Sequence, residues 1–271
     1  MKRKIRGAAI AAPLLFGTAV AKAQSGNDFS APRNATVDAS GARIVRVEAG
    51  AGILRVEGKA GITRVQVRGT AWASSKGLLD KVKLIAERRG DEVFIKTDMP
   101  DGDYSWFRSG DWSASLDLTI EVPQGLDADI GDGSGAAVVM NVGNLEASDG
   151  SGDFEVDGAK SVHITDGSGN LVIKNVTGSV NVRDGSGDIV ARNVSGSFTV
   201  ENDGSGGIFA TDIKGDVVVE HDGSGEINAS RVGRDLVVQS KGSGEVTYDG
   251  VTGRVDIPDT RRRSRRDRDN Q

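Results

Sequence analysis

The sequence contains no cysteine. That excludes a disulfide framework and a lipid-modified cysteine, so the fold must hold itself together by packing alone. Proline is scarce, 5 residues in 271, beside 38 glycines. Glycine at about twice its average usage without proline argues for many tight turns rather than for collagen or a linker. Aromatics make up only 4% of the chain, which leaves small aliphatic side chains to build any core. There are two histidines, His163 and His221, and no His/Asp pair recurs beside the many serines. Nucleophilic and acid–base catalysis therefore find little to work with, and no catalytic residue is assigned. No apolar run reaches the roughly 20 residues of a membrane-spanning helix.

The main apolar run, residues 7–20, follows Lys2, Arg3, Lys4 and Arg6 and precedes Ala21-Lys22-Ala23, a small-residue cleavage pattern before Gln24. This arrangement predicts a secretory signal peptide over 1–23 and an exported protein that is periplasmic, outer-membrane-associated or extracellular. The formal charge is −5. Without the five basic residues of that peptide it becomes −10, and the tail 261–271 carries six arginines against Asp267 and Asp269, so the body between is about −14. An acidic body is unsuited to nucleic acid, whose phosphates need Lys and Arg. The tail, 259–271, is expected to be solvated and disordered, and its arginines suit anionic envelope polymers or lipid headgroups.

What the sequence has in abundance is one repeat. Gly-Ser-Gly recurs at Ser134, Ser151, Ser168, Ser186, Ser205, Ser224 and Ser243, spaced 17, 17, 18, 19, 19 and 19 residues apart. Six copies are preceded by Asp. Aligned on this turn, five columns are apolar or Tyr in every copy; the first runs Ala137, Phe154, Leu171, Ile189, Ile208, Ile227, Val246, and the fifth Ala147, Ile164, Val182, Val200, Val219, Val238, Ile257. Columns one and two lie two residues apart, as do four and five, which is strand alternation with one face buried. Each unit is thus two short strands and two turns, the second turn reading like Asn175-Val176-Thr177-Gly178. A unit this short cannot bury its apolar face alone and must stack on its neighbours.

The expected fold is all-β: a single-stack β-solenoid of the right-handed β-helix kind, with 17–19-residue coils and a rod roughly 30–35 Å long. A left-handed hexapeptide helix would need an aliphatic residue every six positions, and a hairpin sandwich would not need equivalent columns to match along the whole run. Residues 126–258 form the regular part. Residues 24–125 carry a weaker version of the theme, with strand-like runs at 44–47, 53–56, 65–67, 82–84, 93–95 and 116–122, and are expected to be an irregular β-rich N-terminal part and cap. At the other end Pro258 and the charged tail are expected to oppose edge-to-edge addition of another chain.

Four features stand out as candidate sites. The first is an aspartate ladder, Asp132, Asp149, Asp166, Asp184, Asp203 and Asp222, ending at Lys241. Stacked carboxylates repel, so something must offset the charge. Local turn chemistry, in which Asp accepts backbone N–H bonds from the residues just after it and Ser hydroxyls bridge the turns, is the simpler explanation. A row of Ca²⁺ ions helped by Asp153, Asp188, Glu226 and Glu245 is the alternative, although the repeat is not the nonapeptide calcium motif. No other cofactor is implied. The second feature is the stretch 99–113, MPDGDYSWFRSGDWS, whose Tyr104, Trp106, Phe107 and Trp112 could anchor a glycan, a protein partner or a lipid surface, or could fold back on the solenoid. The third is the outward row Val138, Glu155, Val172, Val190, Phe209, Asn228 and Thr247, with an apolar strip at its centre. The fourth is the arginine tail.

The Asp-Gly-Ser-Gly turns, the strand 116–122 ending at Pro123 and the signal peptide together resemble the DUF4097-type family of bacterial adhesin repeat proteins, with a likeness to GIN-type head domains. The resemblance covers residues 36–257. It implies an exported, envelope-associated β-solenoid and brings no catalytic residues with it. The sequence thus leads to the expectation of a non-enzymatic adhesin-like or scaffolding protein of the bacterial envelope. The alternatives are a ligand-binding module, for glycan through the aromatic loop or for Ca²⁺ along the aspartates, and, at greater distance, a polysaccharide-active enzyme. Its partner would be an envelope component, a glycan or a protein surface, and the residues leave the oligomeric state open.

Overall fold

The computed structural model describes residues 29–99 and 113–258. The expected signal peptide over 1–23, the aromatic residues Tyr104, Trp106, Phe107 and Trp112, and the arginine tail all lie outside them. The described chain is an all-β solenoid of two sheets, each of eleven strands, that face one another across a single apolar core.

The N-terminal half contains β1 (Phe29–Asp38), β2 (Ile44–Glu48), β3 (Leu54–Lys59), β4 (Arg64–Ala73), the one-turn helix α1 (Lys76–Leu79), β5 (Lys83–Arg89), β6 (Glu92–Asp98), β7 (Ala114–Pro123) and β8 (Asp127–Asp132). From there fourteen strands, β9 (Ala137–Met140) and β10 (Asn144–Asp149) through to β21 (Val246–Val251) and β22 (Val255–Asp256), alternate between the sheets. Each pairs in parallel with the strand two positions on. Phe154 stands beside Leu171, then Ile189, Ile208, Ile227 and Val246. All thirty column positions of the first six coils are buried, at 5% exposure or less. The seventh coil is the exception: Tyr248 is 49% exposed because, among the described residues, no strand stacks beyond its own.

Coil length grows at two identifiable points. Ala159 pairs with Val176, 17 residues on, while Val162 pairs with Val180, so one residue enters the second turn at 177–179. Val182 pairs with Val200, but Asp184 pairs with Asp203, and the register shifts between them, so Glu201 is an extra residue on its strand. An added residue would turn every following side chain to the opposite face; the bulge absorbs it locally and the inward column continues.

The N-terminal half builds the same stack in a different order. β2 and β3 form a complete coil beside β8 and β9, and β6 and β7 form another beside β2 and β3. The chain therefore lays down the second coil, then the outermost one, and returns past both to enter the regular part. Antiparallel strands close this end: β4 against β7 and β1 against β4 in one sheet, β5 against β6 in the other. Side chains tie the closure together. The Arg33 guanidinium donates to the carbonyls of Leu79 and Val82, both at 2.8 Å, and the Trp72 indole N–H donates to Asp117, whose other oxygen accepts from the Ile53 amide.

Candidate functional site: a closed column of aspartates

In the coils before the bulge the aspartate follows the fifth apolar column at the inward parity of its strand, as Asp149 follows Ala147 and Asp184 follows Val182, and parity places it inside. Asp203 and Asp222 follow their column by three residues, and the extra residue that enters at Glu201 keeps them inside as well. The six side chains Asp132, Asp149, Asp166, Asp184, Asp203 and Asp222 are only 2–6% exposed, and they pair rung to rung in exact register with one another. Asp222 in turn pairs with Lys241. The ladder expected at the turn surface is a sixth inward column.

The expected turn chemistry is not what holds these carboxyls. All twelve of their oxygens are buried without a hydrogen-bond partner. The reason lies in the backbone. The first glycine of a turn donates its amide to the aspartate carbonyl of the coil before, as Gly167 does to Asp149 at 3.0 Å, and Gly133 donates to Ala49. The second glycine donates to the serine carbonyl of the next coil, as Gly187 does to Ser205 at 2.9 Å. These amides serve the stack. Those of Gly133, Gly150, Gly167, Ser168, Gly185, Ser186 and Ser205 lie near enough to favour a charged carboxylate without reaching bond geometry. Nor do the described turn serines bridge the rungs through their hydroxyls; it is their carbonyls that accept.

Glycine is required here for two reasons at once. Gly187 has φ +132, and a Cβ on it would sit 1.6 Å from the Gly169 carbonyl oxygen of the coil before. One more turn meets the same requirement without carrying Gly-Ser-Gly. Residues 49–52 read Ala-Gly-Ala-Gly, Gly52 has φ +136, its amide donates to the Ser134 carbonyl, and Ala51 bridges to Ser134. This is an eighth copy, with Ala49 in the aspartate position. One coil further out the place is taken by Thr97, 6% exposed, whose hydroxyl accepts from the Gly50 amide at 2.8 Å. The six carboxyls are thus bounded by Ala49 and Thr97 at one end and by half-buried Lys241 at the other. The Lys241 ammonium donates to the Gly244 carbonyl and favours the charged form of Asp222.

The electrostatics follow from this enclosure. At the parallel strand spacing of about 4.8 Å, two full charges repel by roughly 3–4 kcal/mol at an effective dielectric of 20. Burial, with the charges of neighbouring rungs, pushes Asp149 and Asp203 up to about 7. Burial raises Asp132 and Asp184 to about 6, and lifts Asp166 and Asp222 above the usual carboxylate range.

The acids suggested as calcium helpers are held by amides or stand in solvent. Asp153 accepts from the Asn170 backbone and side-chain amides at 3.0 and 3.1 Å, and Asp188 from the Gly207 amide at 2.8 Å; Glu226 and Glu245 are exposed. Among the described residues no group of three or more His, Cys, Asp or Glu is placed to share a metal ion. The polar ladder at the other edge of the coil is satisfied. At the second turn Asn193 donates to Asn175 at 2.7 Å and Arg231 holds Asp212 with two bonds. The outward row runs straight along one sheet, with Val172, Val190 and Phe209 half-buried and a Lys174–Glu155 ion pair at 2.6 Å beside them. The Phe209 ring covers Gly207, where an added Cβ would meet it at 2.5 Å. His163 and His221 stand at different positions of their coils, opposite Asn181 and Ser240.

No family profile matches the chain, and no curated protein does. Solved structures with a related course of chain include a provisionally named adhesin of Parabacteroides merdae (11% identity, TM-score 0.48, covering 86% of this chain and 98% of that one). A provisionally named lipid-binding protein of Parabacteroides distasonis matches at 13% identity and TM-score 0.46 over 86% of this chain and 98% of its own. A further provisionally named adhesin, from Bacteroides fragilis, matches at 14% and 0.42 over 86% and 99%.

Proposed function

We propose that this protein is an exported, non-enzymatic, adhesin-like or scaffolding solenoid of the bacterial envelope, a member of the DUF4097-type repeat family. The observation that carries the proposal is the in-register parallel pairing of seven coils, which sets equivalent outward side chains in straight rows at one strand spacing. A repetitive flat face on a rigid core suits contact with another extended surface. It does not suit enclosure of a small substrate, which concave apolar pockets provide. The row Val138, Glu155, Val172, Val190, Phe209, Asn228 and Thr247 is the face proposed for contact. No helix among the described residues is long and apolar enough to cross a membrane.

The test is sedimentation of the purified protein with isolated bacterial envelopes, comparing wild type with a Val172→Ser/Phe209→Ser variant of unchanged thermal stability. Co-sedimentation of wild type and a loss of about tenfold in the variant are expected. Equal sedimentation of the two would remove the row from the interface, and turnover of an envelope polysaccharide would replace the scaffold with an enzyme.

A further inference from the structure

The column of buried carboxyls plays no part in a contact surface, and its geometry asks for a partner that fits between rungs. Each gap offers two carboxyl groups and little else. The carbonyls of the aspartates and turn serines already accept amides from neighbouring coils, and the flanking inward columns are apolar. A calcium ion takes six to eight oxygen ligands, which no gap supplies. A proton needs two.

We propose that the aspartate column is a proton-binding site built into the core, in which adjacent carboxyls share protons along the stack and their occupancy sets how firmly the Asp-Gly-Ser-Gly edge is held. One proton between two rungs turns mutual repulsion into an O–H···O⁻ hydrogen bond of the strong, charge-assisted kind. The charged groups facing the column are few. Five of the six aspartates see only other aspartates on the rungs beside them, or Ala49 at the outer end. Asp222 sees Lys241. Asp153 and Asp188, just outside the turns, add negative charge to their neighbours Asp166 and Asp203. The opposite sheet contributes apolar side chains.

The sign of the effect is fixed by the direction of these shifts. A carboxyl that holds its proton more tightly folded than unfolded contributes its full stability below the unfolded value, about 3.8. It loses that contribution as pH rises through the folded values of about 6 to 7. The solenoid is therefore expected to be firmer in mild acid than in mild base. Most proteins reach their maximum between about pH 5 and 8.

The experiment is thermal unfolding of the full chain from pH 5 to pH 8.5, with the same series for Asp149→Asn/Asp203→Asn. Asn keeps the shape and cannot ionise, and a stacked asparagine pair is already accommodated at the other turn, where Asn193 bonds Asn175. The wild type should melt roughly 5–15 °C higher at pH 5 than at pH 8.5. The double variant should lose at least half of that difference and melt higher than wild type at pH 8.5. If the double variant does not fold, Asp184→Asn carries the same comparison. A wild-type melting temperature that is flat across this range, or a variant that keeps the full slope, overturns the proposal. So does a melting temperature at pH 7.5 that rises with millimolar calcium in wild type but not in the variant, since the column would then take cations in place of protons.

Discussion

At one edge of the coil Asn175, Asn193, Asp212 and Arg231 stand outside the turn, and each finds a partner on a neighbouring rung; at the other edge Asp166, Asp184 and Asp203 face inward and find none. The residue types overlap, so chemistry does not decide the outcome; backbone geometry does. The second turn holds its residue in the left-handed region, φ +57 at Asn175 and +55 at Asn193, a conformation that Asn tolerates well and that leaves the side chain in solvent. The Asp-Gly-Ser-Gly turn begins one step later in the alternation, so its aspartate is still part of a strand and points into the core. Polar stacking outside the solenoid stabilises by ordinary hydrogen bonds, whereas the same stacking inside creates groups whose charge must be suppressed.

The sharpest way to break this comparison is to disturb the aspartate edge through its backbone. Gly187→Ala would force a side chain into φ +132 and against a carbonyl 1.6 Å away. Strain and overpacking together are expected to cost roughly 3–6 kcal/mol, seen as loss of the cooperative melt or a large fall in melting temperature. Gly90→Ala is the matched control. Gly90 also has positive φ, +62, but nothing within 4 Å, so about 1 kcal/mol is expected. Similar losses for the two would mean that strain alone, and not the stacking of turns, demands glycine at position 187.

That glycine also marks where the sequence could be read and where it could not. The five apolar columns were legible because burial by stacking forces every copy to repeat them, and the first six coils bury all of them. The aspartates were legible as a ladder but not as a buried one. Judging parity from Val182 to Asp184 would have placed them inside, while from Val200 to Asp203 it gives the opposite answer, because the bulge at Glu201 is invisible without the pairing. The coil of β2 and β3 was hidden for a different reason. Its turn, residues 49–52, keeps both glycines and has alanine for Asp and Ser, so a motif centred on Gly-Ser-Gly passes over it. The glycines are the structural requirement; Ser and Asp are additions to it. The out-of-order stacking of β2–β3 and β6–β7 has no local signature, because each strand looks the same wherever it is inserted.

A smaller effect separates the two edges by side chain alone. Asn193→Ala removes the 2.7 Å bond to Asn175 and puts alanine at φ +55. Together these should cost roughly 1–2 kcal/mol. Asp184→Ala at pH 8 removes a buried carboxylate that has no hydrogen-bond partner and is flanked by two others. Relief of that repulsion should offset the lost packing to within about 1 kcal/mol, leaving the variant near or above wild type in a denaturant melt. If Asp184→Ala proves more damaging than Asn193→Ala at pH 8, the inner column is stabilising as charged carboxylates and the contrast between the edges fails.

The smallest expected effect tests the sign of the contrast. The Arg231 guanidinium holds the Asp212 carboxyl below the usual carboxylate range. A lowered group contributes its stability above the unfolded value and loses it as pH falls through the folded one. This pair should therefore weaken on acidification below about pH 4, while the inner column strengthens between pH 8 and 5. Both partners are more than half exposed, 60% and 51%, and exposed pairs contribute little, less still in high salt. Arg231→Ala should accordingly shift the melting temperature by no more than a few degrees at pH 7, with the difference shrinking in 1 M salt. The slope between pH 5 and 8.5 should stay that of wild type. A change in that slope would couple the two edges through the 19-residue coil, and the outer ladder could no longer be treated as independent of the inner one.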